Sequence, residues 1–142
     1  MQKSCAQYNQ GEGRETTERG QIGEGEMSDF LAELREHSHL ADHYERFLEQ
    51  ISASLDARTL NLVQHQVAWV HGLEENPATA ATEAESSVLA LAEHIPLAYR
   101  EVSDAMISDL EQHYGASGAV SILVAAAFFD VNVRLDRAAH AD

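Results

Sequence analysis

The stretch that decides the fold lies near the end of the chain and reads SGAVSILVAAAFFDVNVRLDR, from Ser117 to Arg137. As a helix it is apolar on most faces through Phe129, which is typical of a central helix covered by its neighbours. Alternation of apolar and polar residues with a period of two, the signal of a half-buried strand, extends over no useful length of the chain. The sequence therefore predicts an all-α fold with a buried C-terminal helix.

Four further helices are predicted from capping and terminating residues. Ser, Thr and Asp side chains accept hydrogen bonds from the first backbone N–H groups of a helix, whereas glycine and proline mark its end. Such signals occur in four places, so we expect a bundle of about five helices. These helices start with Ser28, Asp56, Thr82 and Ser103, and they end near Leu55, Leu73, His94 and Gly115.

Composition and charge limit the classes of function. The length of 142 residues suits one domain, and a hydrophobic content of 44% supplies a packed core. Asp and Glu number 24 against 9 Lys and Arg, which gives a formal net charge of −15. Because nucleic acids and anionic membranes are bound by clustered cations, we expect neither as a partner.

Residues 1–27 differ in composition from the rest of the chain. Glycine alternates there with glutamate, and aliphatic residues are few. Such a segment buries too little apolar surface to offset the entropy of ordering it. We therefore expect a disordered acidic tail over residues 1–27 and a helical domain over residues 28–142.

Cysteine usage and hydropathy indicate the compartment. The single cysteine, Cys5, excludes an intramolecular disulfide, a CxxC redox pair and a thiolate-built zinc site. No apolar stretch reaches the roughly 20 residues of a membrane helix. The longest, from Ala119 to Phe129, is interrupted by Ser121. With no apolar block of the secretory type at the N-terminus, these features predict a cytoplasmic protein without a membrane span.

A polar stripe on the second predicted helix is the candidate site. Its members lie within about a third of the helix circumference, opposite the apolar arc. Imidazole titrates nearest neutral pH, so His65 or His71 would transfer protons in a cleft. The alternative is a solvated face, or an oligomer contact in which the imidazoles only satisfy hydrogen bonds. The stripe consists of Asn61, Gln64, His65, Ala68, His71 and Gly72.

Metal and cofactor chemistry finds little support in the sequence. Glu36, His39 and His43 would share one face of a continuous helix, but no third element supplies further ligands. Residues 28–142 contain no GxSxG elbow, no phosphate-binding glycine loop and no Cys–His nucleophile pair. We therefore predict no metal site and no cofactor.

Two stretches carry a family resemblance. Residues 55–72, LDARTLNLVQHQVAWVHG, contain a leucine, two turn residues, an arginine and a helix with Val-Ala-Trp running into a glycine. Residues 85–135 end in FDVNVRL, which is similar to a closing helix that reads Ile-Asn-Ala-Trp-Asn-Arg-Leu. In this order the stretches resemble the carboxymuconolactone decarboxylase and alkylhydroperoxidase-D-like (AhpD-like) superfamily. The resemblance implies a small all-helical protein that forms a homo-oligomer, a trimer or hexamer.

The departures from this family pattern fall where its thiol chemistry would lie. In the peroxidase branch a CxxC follows the glycine, and a glutamate stands earlier on the preceding helix. This chain has Leu73 and Asn76 at the cysteine positions and Asn61 at the glutamate position. A peroxidase-type antioxidant function is therefore implied by the family alone and not by the residues.

The decarboxylase branch of the family needs neither a thiol nor a metal. Its chemistry would suit His65 and His71 as proton-transfer groups and Arg58 as a carboxylate anchor, because guanidinium pairs bidentately with carboxylates. We therefore expect a protein that binds a small molecule or catalyses a cofactor-free lyase or isomerase step. The alternative is a non-catalytic oligomeric scaffold, and a cavity of roughly 300 Å3 or more beside the stripe would favour a ligand site. The remaining candidate ligand-binding residues are Asn61, Gln64 and Trp69.

Overall fold

The structure is a computed structural model that describes residues 24–140, with side chains from Phe30 onward. Most of the tail predicted over residues 1–27 therefore lies outside the described residues. The first helix begins at Glu24. Ser28 accordingly lies within this helix and does not cap it, contrary to the expectation.

Five α-helices and no strand make up the described part of the chain, which confirms an all-α bundle of about five helices. The last helix, α5, contacts each of the other four and is the central element, as its apolar stretch predicts. A 3₁₀ turn over Tyr99–Glu101 precedes it. The helices are α1 (Glu24–His37), α2 (Ala41–Ser54), α3 (Ala57–Val70), α4 (Glu83–Ala98) and α5 (Asp104–Ala139).

The region of α1 and α2 corrects one prediction. The pattern predicts a single helix up to Leu55, but α1 ends at His37 and α2 begins only at Ala41. Between them the Ser38 hydroxyl accepts a hydrogen bond from the Leu40 N–H at 3.1 Å. Such local side-chain bonds compete with the helical backbone bonds, and the chain turns here without a glycine or proline.

The caps predicted for α3, α4 and α5 are all present. In each, a side-chain oxygen accepts a hydrogen bond from the backbone N–H three residues further on, which satisfies one of the free donors of the first turn. These bonds hold the starts of the three helices that form the core. They join Asp56 to Thr59 at 2.8 Å, Thr82 to Glu85 at 3.1 Å and Ser103 to Met106 at 3.3 Å.

The end of α3 is set by Gly72, as predicted. This glycine has a φ of +77°, which L side chains rarely adopt. The N–H of Gly72 donates to the Trp69 carbonyl, and the N–H of Leu73 donates to the Ala68 carbonyl, both at 2.9 Å. This pair of bonds is the Schellman motif, and it reverses the chain into the segment 71–82.

The position of Pro96 predicts that α4 ends near His94. The helix instead continues to Ala98. A proline removes one backbone donor and is costly in a helix interior. Here only the last turn follows Pro96. The Pro96 carbonyl accepts a hydrogen bond from Arg134 Nη2 at 3.1 Å, so the end of α4 is tied to α5.

Gly115 interrupts α5, where the sequence predicts the end of one helix and the start of the next. Its φ of 75° and ψ of 170° are non-helical, and helical backbone continues on both sides of it. This backbone region is accessible essentially only to glycine. The interruption lets the portion before Gly115 and the portion after it follow different directions along the bundle.

Replacing Gly115 by alanine is expected to lower the free energy of unfolding by about 1–3 kcal/mol, because a Cβ is strained in this backbone conformation. No atom lies within 4 Å of the added Cβ, so the loss measures backbone strain and not a clash. Urea unfolding monitored by circular dichroism gives the value. Gly115→Asn serves as a comparison and should lose about as much, since this ψ lies outside the left-handed helical region that asparagine tolerates. A variant as stable as wild type would contradict this description.

The core is formed by the facing sides of α3, α4 and α5. The face of α5 that is turned away from these helices stays exposed, so the C-terminal helix is buried along one side only. The rings of Tyr44 and Phe47 on α2 pack against Phe128, which attaches α2 to α5. The largest fully buried side chains are Leu60, Val63 and Val67 of α3, Val88 and Leu91 of α4, and Leu110 and Ile122 of α5.

By length and composition, α5 is also the one helix among the described residues that would suffice to cross a membrane. This finding differs from the expectation that no segment of the chain is long and apolar enough to form a membrane helix. A third of its most apolar 18-residue window is buried inside the protein. A core helix meets the same criterion, and α5 contacts all of its neighbours.

Candidate functional site

Three of the predicted site residues line an open groove of about 530 Å3. Arg58, Asn61 and His65 contribute one wall from α3, and residues 76–81 contribute the other. This volume exceeds the 300 Å3 that would favour a ligand site. The side chains of Arg58 and His65 are nevertheless already bonded to the chain itself.

Arg58 is a clamp within the protein and is not a free carboxylate anchor. Its guanidinium pairs bidentately with Glu85, at 3.0 and 3.1 Å, and donates to the Thr79 carbonyl at 3.2 Å. His65 has a similar role, since its Nε2 lies 2.8 Å from the Asn76 carbonyl oxygen. Both side chains therefore fix the segment 71–82 against α3.

The clamp shifts the pKa of Glu85. The Arg58 guanidinium, with a further hydrogen bond from the Ala81 N–H at 2.6 Å, lowers the pKa of Glu85 from 4.5 to about 2. Both bonds stabilise the charged carboxylate. The clamp is therefore intact throughout the neutral and mildly acidic range.

Glu85→Gln is expected to lower the melting temperature at neutral pH, and the deficit should shrink as the pH falls. A carboxylate whose pKa is lowered by folding stabilises the protein above its unfolded pKa. That contribution is lost as the pH falls from 4.5 to about 2. Melting curves of both proteins across this interval test the expectation. A deficit that stays constant with pH would show that the charge of Glu85 is not responsible.

His71 does not join His65 in the groove. Its Nε2 lies 2.8 Å from Asp130 Oδ1 of α5, and both side chains are largely buried. Asp130 also accepts a hydrogen bond from Arg134 Nε, one turn further along α5, at 3.0 Å. Arg137 Nη2 donates to the His71 carbonyl. His71 is therefore part of a polar contact between α3 and α5.

The predicted polar stripe does not form one site, because its two edges contact different parts of the protein. His71 lies on the side of α3 that faces α5, whereas His65 lies on the side that faces residues 76–81. Ala68, between them, is buried in the core. Trp69 is half-buried and is among the lining residues of neither the groove nor the cavity described next.

A cavity of about 80 Å3 lies between α3 and α5, and Gln64 is the one predicted ligand-binding residue that lines it. Its walls are otherwise mostly apolar. Three polar side chains of α5 complete it. The lining residues are Gln64, Val67, Ala68, Leu73, Phe129, Asn132, Val133, Asp136 and Arg137.

Two buried polar atoms of this cavity have no hydrogen-bond partner. Asn132 is 5% exposed. Its Oδ1 accepts a hydrogen bond from the Tyr44 hydroxyl, but its Nδ2 is unpaired. Asp136 Oδ1 is also buried and has no hydrogen-bond partner; His140 Nδ1 lies 3.8 Å from it, within ion-pair distance but beyond hydrogen-bond distance. Most buried polar groups in proteins are hydrogen-bonded, so a donor and an acceptor without hydrogen-bond partners, on two residues that line one cavity, require an explanation.

Tyr44 maintains the orientation of Asn132. Burial and the nearby charge of Asp136 raise the pKa of Tyr44 well above its usual value, so its hydroxyl remains a neutral donor. This donor occupies Asn132 Oδ1. The amide nitrogen is left without a hydrogen-bond partner.

Tyr44, Asn132 and Asp136 are site residues that the sequence analysis does not identify. Asn132 and Asp136 are polar residues one turn apart on an otherwise apolar helix face that includes Phe129. That interruption of an apolar face is the one feature that pointed to them. Tyr44 lies 88 positions away from Asn132 in the sequence.

The predicted histidine and carboxylate face is not formed. Because α1 ends at His37 and α2 starts at Ala41, Glu36 does not share a helical face with His39 and His43. Glu33, Glu36 and His37 do lie close together instead. All three are exposed, and exposed charged groups of this kind are ordinarily solvated. We assign no metal to them.

Comparisons of the chain with family models, with curated proteins and with solved structures gave no match. Membership of the AhpD-like superfamily therefore stays a prediction that rests on residues 55–72 and 85–135.

Proposed function

We propose that the protein binds a small neutral molecule in the cavity between α3 and α5. The observation that carries this proposal is that two buried atoms, Asn132 Nδ2 and Asp136 Oδ1, have no hydrogen-bond partner. Leaving a buried donor or acceptor unsatisfied costs about 1–3 kcal/mol. A ligand that accepts from Asn132 and donates to Asp136 recovers this free energy on binding.

The cavity indicates the size and charge of the ligand. Pockets for drug-sized molecules measure about 300–1,000 Å3, so a cavity of about 80 Å3 suits a ligand with few non-hydrogen atoms. The charges of Asp136 and Arg137 balance within the lining, which favours a neutral ligand. The apolar side chains of Val67, Leu73 and Phe129 suit a short hydrocarbon group. A short-chain primary amide or alcohol combines these properties.

A titration with butyramide tests this proposal. We expect saturable changes in the backbone ¹H–¹⁵N spectrum that are confined to residues of α3 and α5 around the cavity. Butyrate is the matched control, because it has the same carbon chain but carries a charge and no N–H donor, and it should leave these signals in place.

Two results would contradict the proposal. Unchanged signals with butyramide would indicate that solvent alone occupies the cavity, which is the usual fate of roomy polar cavities. Changes confined to Arg58, Asn61 and His65 would place the binding site in the open groove.

A second candidate is the cofactor-free lyase or isomerase step, and the His71–Asp130 pair favours it. A carboxylate that accepts the Nε2–H of a histidine fixes the tautomer and leaves Nδ1 as a base. The His71 carbonyl is bonded by Arg137, which lines the cavity. In this reading, His71 Nδ1 would take a proton from the carbon beside a carbonyl of a substrate held at the end of α3, and solvent would return a proton to that carbon.

Exchange of the α-protons of γ-butyrolactone in D2O, followed by ¹H NMR, tests this second candidate. Wild-type protein should accelerate the exchange, and His71→Gln should remove the acceleration while His65→Gln retains it. Equal exchange with and without the protein would count against catalysis and leave the binding proposal in place.

A further inference from the structure

The cavity between α3 and α5 meets solvent at Leu73 and Arg137. Among the residues that line it, these two alone are exposed, and Leu73 is 43% exposed. The rest of the lining is buried or half-buried, with Val67 and Phe129 almost fully covered and Asn132 5% exposed. A molecule whose polar group is held at Asn132 therefore extends toward solvent between Leu73 and Arg137, and we call these two residues the mouth of the cavity.

The two sides of the mouth differ in chemistry. Arg137 Nη2 donates to the His71 carbonyl, which keeps the guanidinium in place and links α5 to the turn that follows α3. The Leu73 side chain carries no polar group. A hydrocarbon chain that grows outward from the cavity therefore meets Leu73 as its apolar contact at the mouth, and burial against this side chain is favourable.

The position of Leu73 is set by backbone bonds and not by its side chain. Its N–H donates to the Ala68 carbonyl at 2.9 Å, in the turn that the positive φ of Gly72 allows. Further along the same segment, the Asn76 carbonyl oxygen lies 2.8 Å from His65 Nε2. Substitutions of the Leu73 side chain should therefore change the shape of the mouth and leave the path of the chain unaltered.

We propose that Leu73 determines the length of the hydrocarbon chain that the cavity accepts. This inference rests on the proposed function, and it limits the ligands to primary amides or alcohols whose chain ends where it meets Leu73. The branched side chain of leucine blocks the outward path of a longer linear chain. A smaller side chain at this position extends the apolar space outward, and a larger one shortens it.

Titrations of wild type and Leu73→Ala with butyramide and hexanamide, followed in ¹H–¹⁵N spectra, test this proposal. In Leu73→Ala a methyl group replaces the isobutyl group. The ratio of affinities should then shift toward hexanamide by roughly tenfold relative to wild type, because two further methylene groups become buried.

Leu73→Phe tests the opposite direction and keeps the proposal open to refutation if the alanine variant does not fold. The larger ring should weaken butyramide binding by roughly fivefold, because it intrudes on the space of the chain. Propionamide, which is shorter, should lose less. Equal losses for both amides would overturn the assignment of Leu73 as the residue that sets the length.

Leu135→Ala is the matched control. Leu135 has a similar exposure, 38%, and does not line the cavity, so this variant should keep the wild-type ratio of affinities. An unchanged ratio in Leu73→Ala, or an equal shift in Leu135→Ala, would overturn this inference. Butyramide binding by wild type would still support the proposed function in that case. Wild type that binds neither amide would contradict the proposed function itself, and the role of Leu73 with it.

Discussion

Phe129→Ala is expected to lower the free energy of unfolding by about 3–5 kcal/mol, the largest effect of any substitution considered for this protein. Phe129 is 3% exposed and belongs both to the core and to the wall of the α3–α5 cavity. The loss combines the transfer of a buried ring with an enlarged void that the helices cannot fill. Chemical denaturation at equilibrium provides the measurement.

Leu91→Ala is the matched control for Phe129→Ala. Leu91 is fully buried in α4 and does not line the cavity. Its truncation should also be costly, by about 2–5 kcal/mol, but it should leave the affinity for butyramide unchanged. Phe129→Ala should alter that affinity because the wall of the cavity has moved. A loss of stability below about 1 kcal/mol for Phe129→Ala would contradict the packing described for α3 and α5.

Tyr44→Phe/Asn132→Leu is expected to reduce butyramide binding at least tenfold while leaving the ligand-free protein as stable as wild type or more stable. Both partners of one buried hydrogen bond are replaced by apolar groups, a change that is often neutral or stabilising. The unpaired Asn132 Nδ2 is removed as well. Binding is measured by the NMR titration and stability by thermal unfolding.

The single variant Tyr44→Phe separates the two effects. It leaves Asn132 Oδ1 without its donor and should therefore destabilise the protein by about 1–3 kcal/mol, because a buried acceptor becomes unsatisfied. If the double variant were instead strongly destabilised, Asn132 would be a structural residue. Its free amide would then give no reason to place a ligand in the cavity.

The parts of the fold that depend on local bonds were predictable from the sequence. Asp56, Thr82 and Ser103 each bond a backbone group three residues away, so their sequence neighbours suffice to identify them as caps. Gly72 and Gly115 were identified in the same way, since a positive φ selects glycine. The break between α1 and α2 was missed because a serine side chain, without glycine or proline, ends the helix there.

The site was less predictable because its bonds join distant parts of the chain. Arg58 meets Glu85 from 27 positions away, and His71 meets Asp130 from 59 positions away. A helical wheel of α3 correctly places His65 and His71 toward the polar side. It does not show that residues 76–81 cover one edge of that side and α5 the other. The wheel therefore grouped two imidazoles that serve separate contacts.

The same limit applies to α5. Its sequence predicts a central helix, and the structure places it in contact with all the others. The wheel alone does not show that the apolar residues exceed what those neighbours cover, which leaves Val120, Val124 and Val131 exposed on the outer side of the helix. Nor did it show that Asn132 is buried where its Oδ1 is paired and its Nδ2 is not.

The side-chain amide signal of Asn132 in a ¹H–¹⁵N spectrum gives the most direct test of the ligand site. Addition of butyramide should shift this signal saturably, because the ligand's carbonyl oxygen accepts a hydrogen bond from Nδ2. The signal of Asn61, in the open groove, should stay in place. An Asn132 amide that remains unchanged at saturating butyramide would contradict the assignment of the α3–α5 cavity as the binding site.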